Sequence, residues 1–133
     1  MKKDIEHLEV EDLAMAIVLE EENGQNVWNV FLINLHIVPI KNIIVTSRGY
    51  GELNGEIKKT STLRHFFEEL PELEFTRVEP IMENTFCLTN EFWVSFYIND
   101  KIYDKQYIFL PETINLKNFT KIPILNAEGV MIR

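Results

Sequence analysis

The chain has 133 residues, of which 46% are hydrophobic and 26% are charged, and its formal net charge is −8. This balance predicts one folded domain spanning residues 1–133 and excludes an intrinsically disordered chain. The negative charge disfavours binding to nucleic acid and to anionic membranes, because both partners require clustered Lys and Arg side chains.

The first predicted element is a β-hairpin around the dipeptide Asn23-Gly24. Apolar residues alternate from Leu13 to Leu19 with the two-residue period of a strand, and a β-rich run follows from 26 to 34. Asn-Gly favours a type I′ turn, in which both central residues have a positive φ. Because a one-residue slip would break the match of apolar partners, turn and pattern predict the same register. The predicted pairs are Leu19 with Trp28, Ile17 with Val30, and Met15 with Leu32.

The middle of the chain contains three further predicted strands. Residues 35–39 are interpreted as a connection because Pro39 lacks a backbone donor, and residues 40–47 as the next strand. Three glycines within 49–55 predict a bend, an exposed loop or a second hairpin. Residues 60–70 fit a strand at a sheet edge, although a short helix there is the alternative, and 75–81 predict another strand.

The strongest strand pattern runs from Phe92 to Leu110, with Asn99-Asp100 as a two-residue turn. This turn aligns residues 92, 94, 96 and 98 with 103, 107 and 109 on one face, which we expect to lie in the core. The opposite face carries residues 93, 95 and 97 against 102, 104 and 106. Short apolar segments at 119–125 and 130–132 predict the last strands.

The pattern as a whole predicts an all-β protein. About seven or eight short strands, with turn signals between them and no repeated alternation of strand and helix, favour an antiparallel β-sandwich. An immunoglobulin-like architecture is the closest comparison, without the Cys-Trp-Cys spacing of a true immunoglobulin domain. The short helix near residues 60–70 is the one exception that the pattern leaves open.

A basic segment interrupts the acidic sequence between residues 41 and 65. Its glycines expose backbone N–H groups and its cations suit a phosphate or a carboxylate, so it is a candidate site for an anion or for an acidic partner. A solvated hairpin with scattered lysines is the alternative interpretation. The candidate residues are Arg48, Lys58, Lys59 and Arg64.

A second candidate is the face opposite the predicted core of the 92–110 hairpin. Trp93, Tyr97 and Ile102 lie there, and aromatic residues on a sheet face often anchor protein partners. The alternative is that another sheet or the N-terminal segment covers them. If they are exposed, the expected partner is another protein or a second copy of the chain.

Catalytic and metal-binding signatures are not found in the sequence. His7, His36 and His65 are far apart, and neither a His-Glu-x-x-His nor a Cys-x-x-Cys motif is present. We therefore expect no metal, no cofactor and no catalytic residue, although an enzyme without a sequence signature stays open.

The sequence also predicts a compartment. The single cysteine, Cys87, cannot form an intramolecular disulfide, no apolar run approaches the roughly 18 residues of a membrane span, and Asp4 and Glu6 follow the N-terminal lysines where a secretory signal would be apolar. These features predict a cytoplasmic protein without a membrane segment.

Five segments of the chain carry a resemblance: Trp28–Asn34, Thr46–Gly51, Lys59–His65, Asn90–Tyr97 and Tyr103–Pro111. Together they resemble a family of small uncharacterised bacterial proteins of the Bacteroidetes type. Members of this family are sometimes labelled as a phenylalanyl-tRNA synthetase alpha subunit. The catalytic subunit of that enzyme is a much larger α/β protein with arginine-bearing class II motifs, which this sequence lacks. The resemblance therefore implies no established activity and no functional residues, and its label suggests only the alternative of an RNA-binding or phosphate-binding accessory role.

Overall fold

The computed structural model describes residues 12–133, which form ten β-strands and two short 3₁₀ helices. The strands are β1 (Leu13–Glu22), β2 (Gln25–Asn34), β3 (Ile40–Leu53), β4 (Glu56–Lys59), β5 (Leu63–Leu70), β6 (Glu74–Ile81), β7 (Thr89–Ile98), β8 (Lys101–Phe109), β9 (Thr120–Ile122) and β10 (Ala127–Ile132). The 3₁₀ helices are Glu83–Thr85 and Leu116–Asn118.

The strands form two antiparallel sheets that pack together as a β-sandwich, which confirms the predicted fold class. Sheet A has the order β6-β2-β1-β10-β9, and sheet B has the order β4-β3-β7-β8 with β5 also paired to β3. β3 pairs with β5 through residues 40–47 and with β4 through residues 50–53, while β7 occupies its other edge. Together, β4 and β5 therefore form one interrupted edge of sheet B, the β4–β5 edge.

The first hairpin has the predicted register. Leu19 lies opposite Trp28, and the pairs at 17 with 30 and 15 with 32 follow. Asn23 has φ 51° and Gly24 has φ 78°, as a type I′ turn requires. Local turn chemistry and the apolar pattern therefore determine the pairing of β1 with β2.

The second hairpin lies at the three glycines, where the sequence predicted a bend, an exposed loop or a hairpin. β3 continues to Leu53, beyond the predicted end at Ser47, and Asn54-Gly55 forms the turn with φ values of 53° and 79°. Gly49 and Gly51 lie inside the strand and not in a loop. The estimate of seven or eight strands was too low among residues 12–133, because β4 and β5 are separate segments of one edge.

Residues 63–70 form a strand, so the helical alternative for this segment was wrong. Leu63, Phe66, Phe67 and Leu70 have helical spacing, but β5 pairs residue by residue with β3 from Leu70 to Leu63. A helix here would leave one edge of the long β3 strand without hydrogen-bond partners, so sheet pairing overrides the helical spacing.

The predicted hairpin of β7 and β8 is also confirmed, and it contributes a large part of the core. Asn99 and Asp100 both have a positive φ, and Phe92 lies opposite Tyr107 as expected. The hydroxyl group of the buried Tyr107 donates to the backbone oxygen of Leu13, which links sheet B to sheet A. Within residues 12–133, no helix is long and apolar enough to cross a membrane.

Candidate functional site

The outer face of sheet B exposes large apolar side chains from both edges and from the centre of the sheet. Successive residues of a strand point to opposite faces. The residues that alternate with the core residues of these strands therefore point away from sheet A. Phe66 is 63% exposed, Trp93 49% and Ile102 63%. We call this surface the outer B face, and its exposed apolar residues are Ile44, Ile57, Phe66, Trp93, Tyr97, Ile102 and Ile108.

The strand register brings these side chains into neighbouring rows across the sheet. One row contains Phe66, Ile44, Ser95 and Asp104, from the β4–β5 edge to β8. The next row contains Arg64, Thr46, Trp93 and Gln106. Side chains directly opposite each other on neighbouring strands are about 5 Å apart at Cβ, so the rows form one continuous surface.

The three predicted interface residues lie together on this face. Tyr97 is directly opposite Ile102, and Trp93 lies on the same side of β7. The sequence did not indicate Phe66, because the segment that contains it also fitted a helix. Continuing the alternation of β8 by two residues beyond Gln106 would have found Ile108.

Three of the four predicted anion-binding residues also point to the outer B face. Arg48, Lys59 and Arg64 share it, whereas Lys58 points to the opposite side of β4 and lies 3.2 Å from the carboxylate of Glu56. The sequence alone could not separate Lys58 from Lys59, because the register of β4 determines which of them shares the face with Arg48.

A buried carboxylate reduces the positive charge of this group. The side chain of Glu91 is 7% exposed, and its Oε1 atom lies 3.4 Å from Nη2 of Arg48. The hydroxyl group of Tyr50 donates to the same oxygen at 3.1 Å, and the Arg48 guanidinium stacks over the Tyr50 ring. Desolvation, followed by this hydrogen bond, raises the pKa of Tyr50, so the hydroxyl stays a neutral donor. In the sequence, Glu91 resembles an ordinary surface residue of a strand.

A groove of about 670 Å³ lies at the end of the outer B face that carries Arg48. The break between β4 and β5 forms part of its wall, because Thr60 and Thr62 line the groove and Thr60 lies beside Gly49 of β3. The backbone N–H of Thr60 donates to the carbonyl of Gly49, and the amide of Gly49 donates to Oγ1 of Thr60. Cations, a carboxylate and an aliphatic side chain line the groove, which suits a peptide-like surface of mixed charge. The lining residues include Arg48, Tyr50, Glu52, Ile57 and Lys59.

A second polar cluster joins the two sheets next to this groove. Oγ of Ser47 donates to Oε1 of Glu79 at 2.8 Å, and Nε2 of His65 lies 2.7 Å from the same oxygen. Ser47 and His65 belong to sheet B, whereas Glu79 belongs to β6 of sheet A. Because the serine and the histidine share one carboxylate oxygen, the geometry is that of a link between sheets. It differs from the serine-to-histidine contact that activates a nucleophile.

His36 lies outside the face, in the connection between β2 and β3. Its Nε2 atom is buried without a hydrogen-bond partner, and its Nδ1 atom lies 4.0 Å from the carboxylate of Asp12. Desolvation lowers the pKa of His36 below its ordinary value of 6.5, although the negative charge of Asp12 opposes this shift. His7 lies outside the described residues.

We expect this burial of His36 to make folding pH-dependent. A base with a lowered pKa binds protons more weakly in the folded state, so the unfolded state is favoured as pH falls through the ordinary value. The free energy of unfolding should fall when the pH is lowered from about 7.5 to about 5.5, and His36→Gln should reduce that fall. Urea unfolding at both pH values measures the difference. The same pH dependence in both proteins would contradict the prediction.

The role of the site is inferred from the residues that form it. Among residues 12–133, three or more His, Cys, Asp or Glu side chains are nowhere grouped so that they could hold a metal ion. The apolar residues of the outer B face, by contrast, are exposed on one side of the sheet and have charged neighbours of both signs. No protein-family model matches the chain, and no curated protein matches it either.

Proposed function

We propose that this protein is a non-enzymatic β-sandwich that binds a protein partner through the outer B face. The observation that carries this proposal is that Phe66, Trp93 and Ile102, on three different strands, expose large apolar side chains on the same face of one sheet. Aromatic and large aliphatic side chains that share an exposed patch, with charged residues around them, are typical of protein interfaces.

The charges favour a protein over a nucleic acid. Arg48 is partly neutralised by Glu91, and Lys58 points away from Lys59 and Arg64, so the face presents few unpaired cations. A phosphate backbone requires several clustered cations, and the chain as a whole has a net charge of −8. RNA or tRNA binding through Lys59 and Arg64 is therefore an outcome for the experiment to test.

Two further parts of the proposal concern architecture and location. We propose that the strands have an immunoglobulin-like arrangement, and this proposal concerns the architecture alone. A cytoplasmic location is the second part, and it is supported by the single cysteine, Cys87, which cannot form an intramolecular disulfide.

The test of the proposal is removal of the aromatic anchors. Replacing both Trp93 and Tyr97 with Ser should lower the amount of partner protein that a tagged chain captures from the cells that produce it by roughly 30-fold, the effect of losing one strong anchor. The fold should be unchanged by circular dichroism, because both side chains are partly exposed. The matched control replaces Ile37 and Leu116, exposed residues away from the outer B face, with Ser.

Two results would contradict the proposal. Equal capture by the variant and by the control would show that the aromatic residues do not contribute to binding. Binding of tRNA at low salt, lost in Lys59→Glu with Arg64→Glu but kept in Lys58→Glu, would favour the nucleic-acid alternative. Lys58 is the appropriate control because it lies next to Lys59 in sequence and points to the other side of β4.

A further inference from the structure

We infer that the partner of the outer B face is a second copy of this chain, packed face to face about a two-fold axis parallel to the strands. The inference rests on the proposed function, since it names the occupant of the same face. It is carried by the size of the face, by the opposite charges at its two edges and by the positions of its aromatic residues.

The face approaches the size that a stable dimer requires. Four neighbouring strand positions span about 19 Å, and strands of nine or ten residues are about 30 Å long, so the face covers roughly 570 Å² in projection. Side chains that protrude from the sheet add to the accessible area. A stable interface of standard size buries about 800 Å² on each partner.

The two edges of the face carry opposite charges. The β4–β5 edge presents Arg64 and Lys59, and the β8 edge presents Asp104. A two-fold axis parallel to the strands places the β4–β5 edge of one copy over β8 of the other copy. Lys101 and Lys105 point to the other side of β8. Glu68 and Glu69 lie toward the Ile102 end of the face, away from Arg64, and Glu69 is 3.9 Å from the ammonium group of Lys41. The outer B face is therefore complementary to itself.

The same symmetry brings suitable side chains together at the centre. β7 of one copy lies over β3 of the other, so Trp93 packs near Ile44 and Thr46. Arg64 shares a row with Gln106, one two-residue step along β8 from Asp104. That step is about 7 Å, within the reach of an arginine side chain. Two equivalent ion pairs between Arg64 and Asp104 would form, one on each side of the axis.

The experiment is a charge exchange in the purified full-length chain. Sedimentation velocity between about 1 and 100 µM should show a species of twice the 15.7 kDa chain mass. Arg64→Asp and Asp104→Arg each place like charges together at both contacts, and each should weaken the dimer by about ten-fold. An equimolar mixture of the two variants should restore it, because both contacts then join opposite charges. Lys121→Asp, which changes a charge on β9 of sheet A, should leave the dimer intact.

Each other outcome has a definite meaning. A dimer that survives replacement of Trp93 and Tyr97 by Ser, or a mixture that does not restore association, would overturn the inference. A purified chain that stays monomeric to about 100 µM, while the same replacement abolishes capture of another protein, would overturn the second copy and leave the proposed function standing. If the replacement alters neither capture nor mass, both fail.

Discussion

Replacing Asn34 with Leu should lower the free energy of unfolding by about 3 to 5 kcal/mol. Asn34 is fully buried, and its amide nitrogen donates to the backbone oxygens of Val38, Leu70 and Pro71 at 3.0 to 3.1 Å. Its amide oxygen accepts from the backbone N–H of His36 at 2.9 Å. Leu has a similar size but no polar atoms, so these backbone groups would lose their partner in a site that excludes water.

The effect should exceed that of an ordinary asparagine because Asn34 connects the sheets. It lies at the end of β2 in sheet A and binds the segment that leaves β5 of sheet B. Urea unfolding of Asn34→Leu measures the loss. Asn118→Leu is the control, because Asn118 donates one exposed hydrogen bond and should cost less than about 1 kcal/mol. A loss of less than about 1 kcal/mol for Asn34→Leu as well would contradict the prediction.

The two hairpins that the sequence predicts correctly have local causes. Asn23-Gly24 and Asn99-Asp100 each supply two residues that tolerate a positive φ, and the flanking residues alternate with the period of a strand. The turn and the pattern act within about 20 residues, and they agree on one register. Such agreement is visible in the sequence before any long-range contact is considered.

The features that the sequence did not reveal depend on distant segments. β5 is a strand because the edge of β3 requires partners, and nothing within residues 60–70 contains that requirement. The link of Ser47 and His65 to Glu79 joins three strands from two sheets. Glu91 is buried because Arg48 and Tyr50 cover it from a neighbouring strand. None of these partners is close in sequence.

The outer B face could be predicted from the sequence only in part. Alternation predicts that Trp93, Tyr97 and Ile102 share one side of the hairpin, but whether another segment covers that side depends on how the sheets pack. Sheet A packs on the opposite side, so all three residues are exposed. Arg64 and Phe66 reach the same face only through the pairing of β5 with β3. The charge asymmetry that supports self-association therefore required the tertiary structure.

Gly129→Ala should be a severe core defect, with a loss of about 3 kcal/mol in the free energy of unfolding. Gly129 lies in β10 directly opposite Val18 of β1. A Cβ atom at Gly129 would collide with the backbone oxygen of Ile17 and would lie 3.1 Å from Cα of Val18. Both are backbone atoms of a central strand, so no side-chain rotation can relieve the overlap.

The control is Gly55, where the backbone conformation favours glycine but the space around the residue would admit a side chain. Gly55 has φ 79° and open space around its Cβ position, so Gly55→Ala suffers only conformational strain of about 1 kcal/mol. Gly129 is not among the residues with a positive φ, so its requirement for glycine is steric. Urea unfolding of both variants separates the two causes, because only Gly129→Ala disturbs the pairing of β1 with β10. A loss no larger than that of Gly55→Ala would mean that β10 can move away from β1 at little cost.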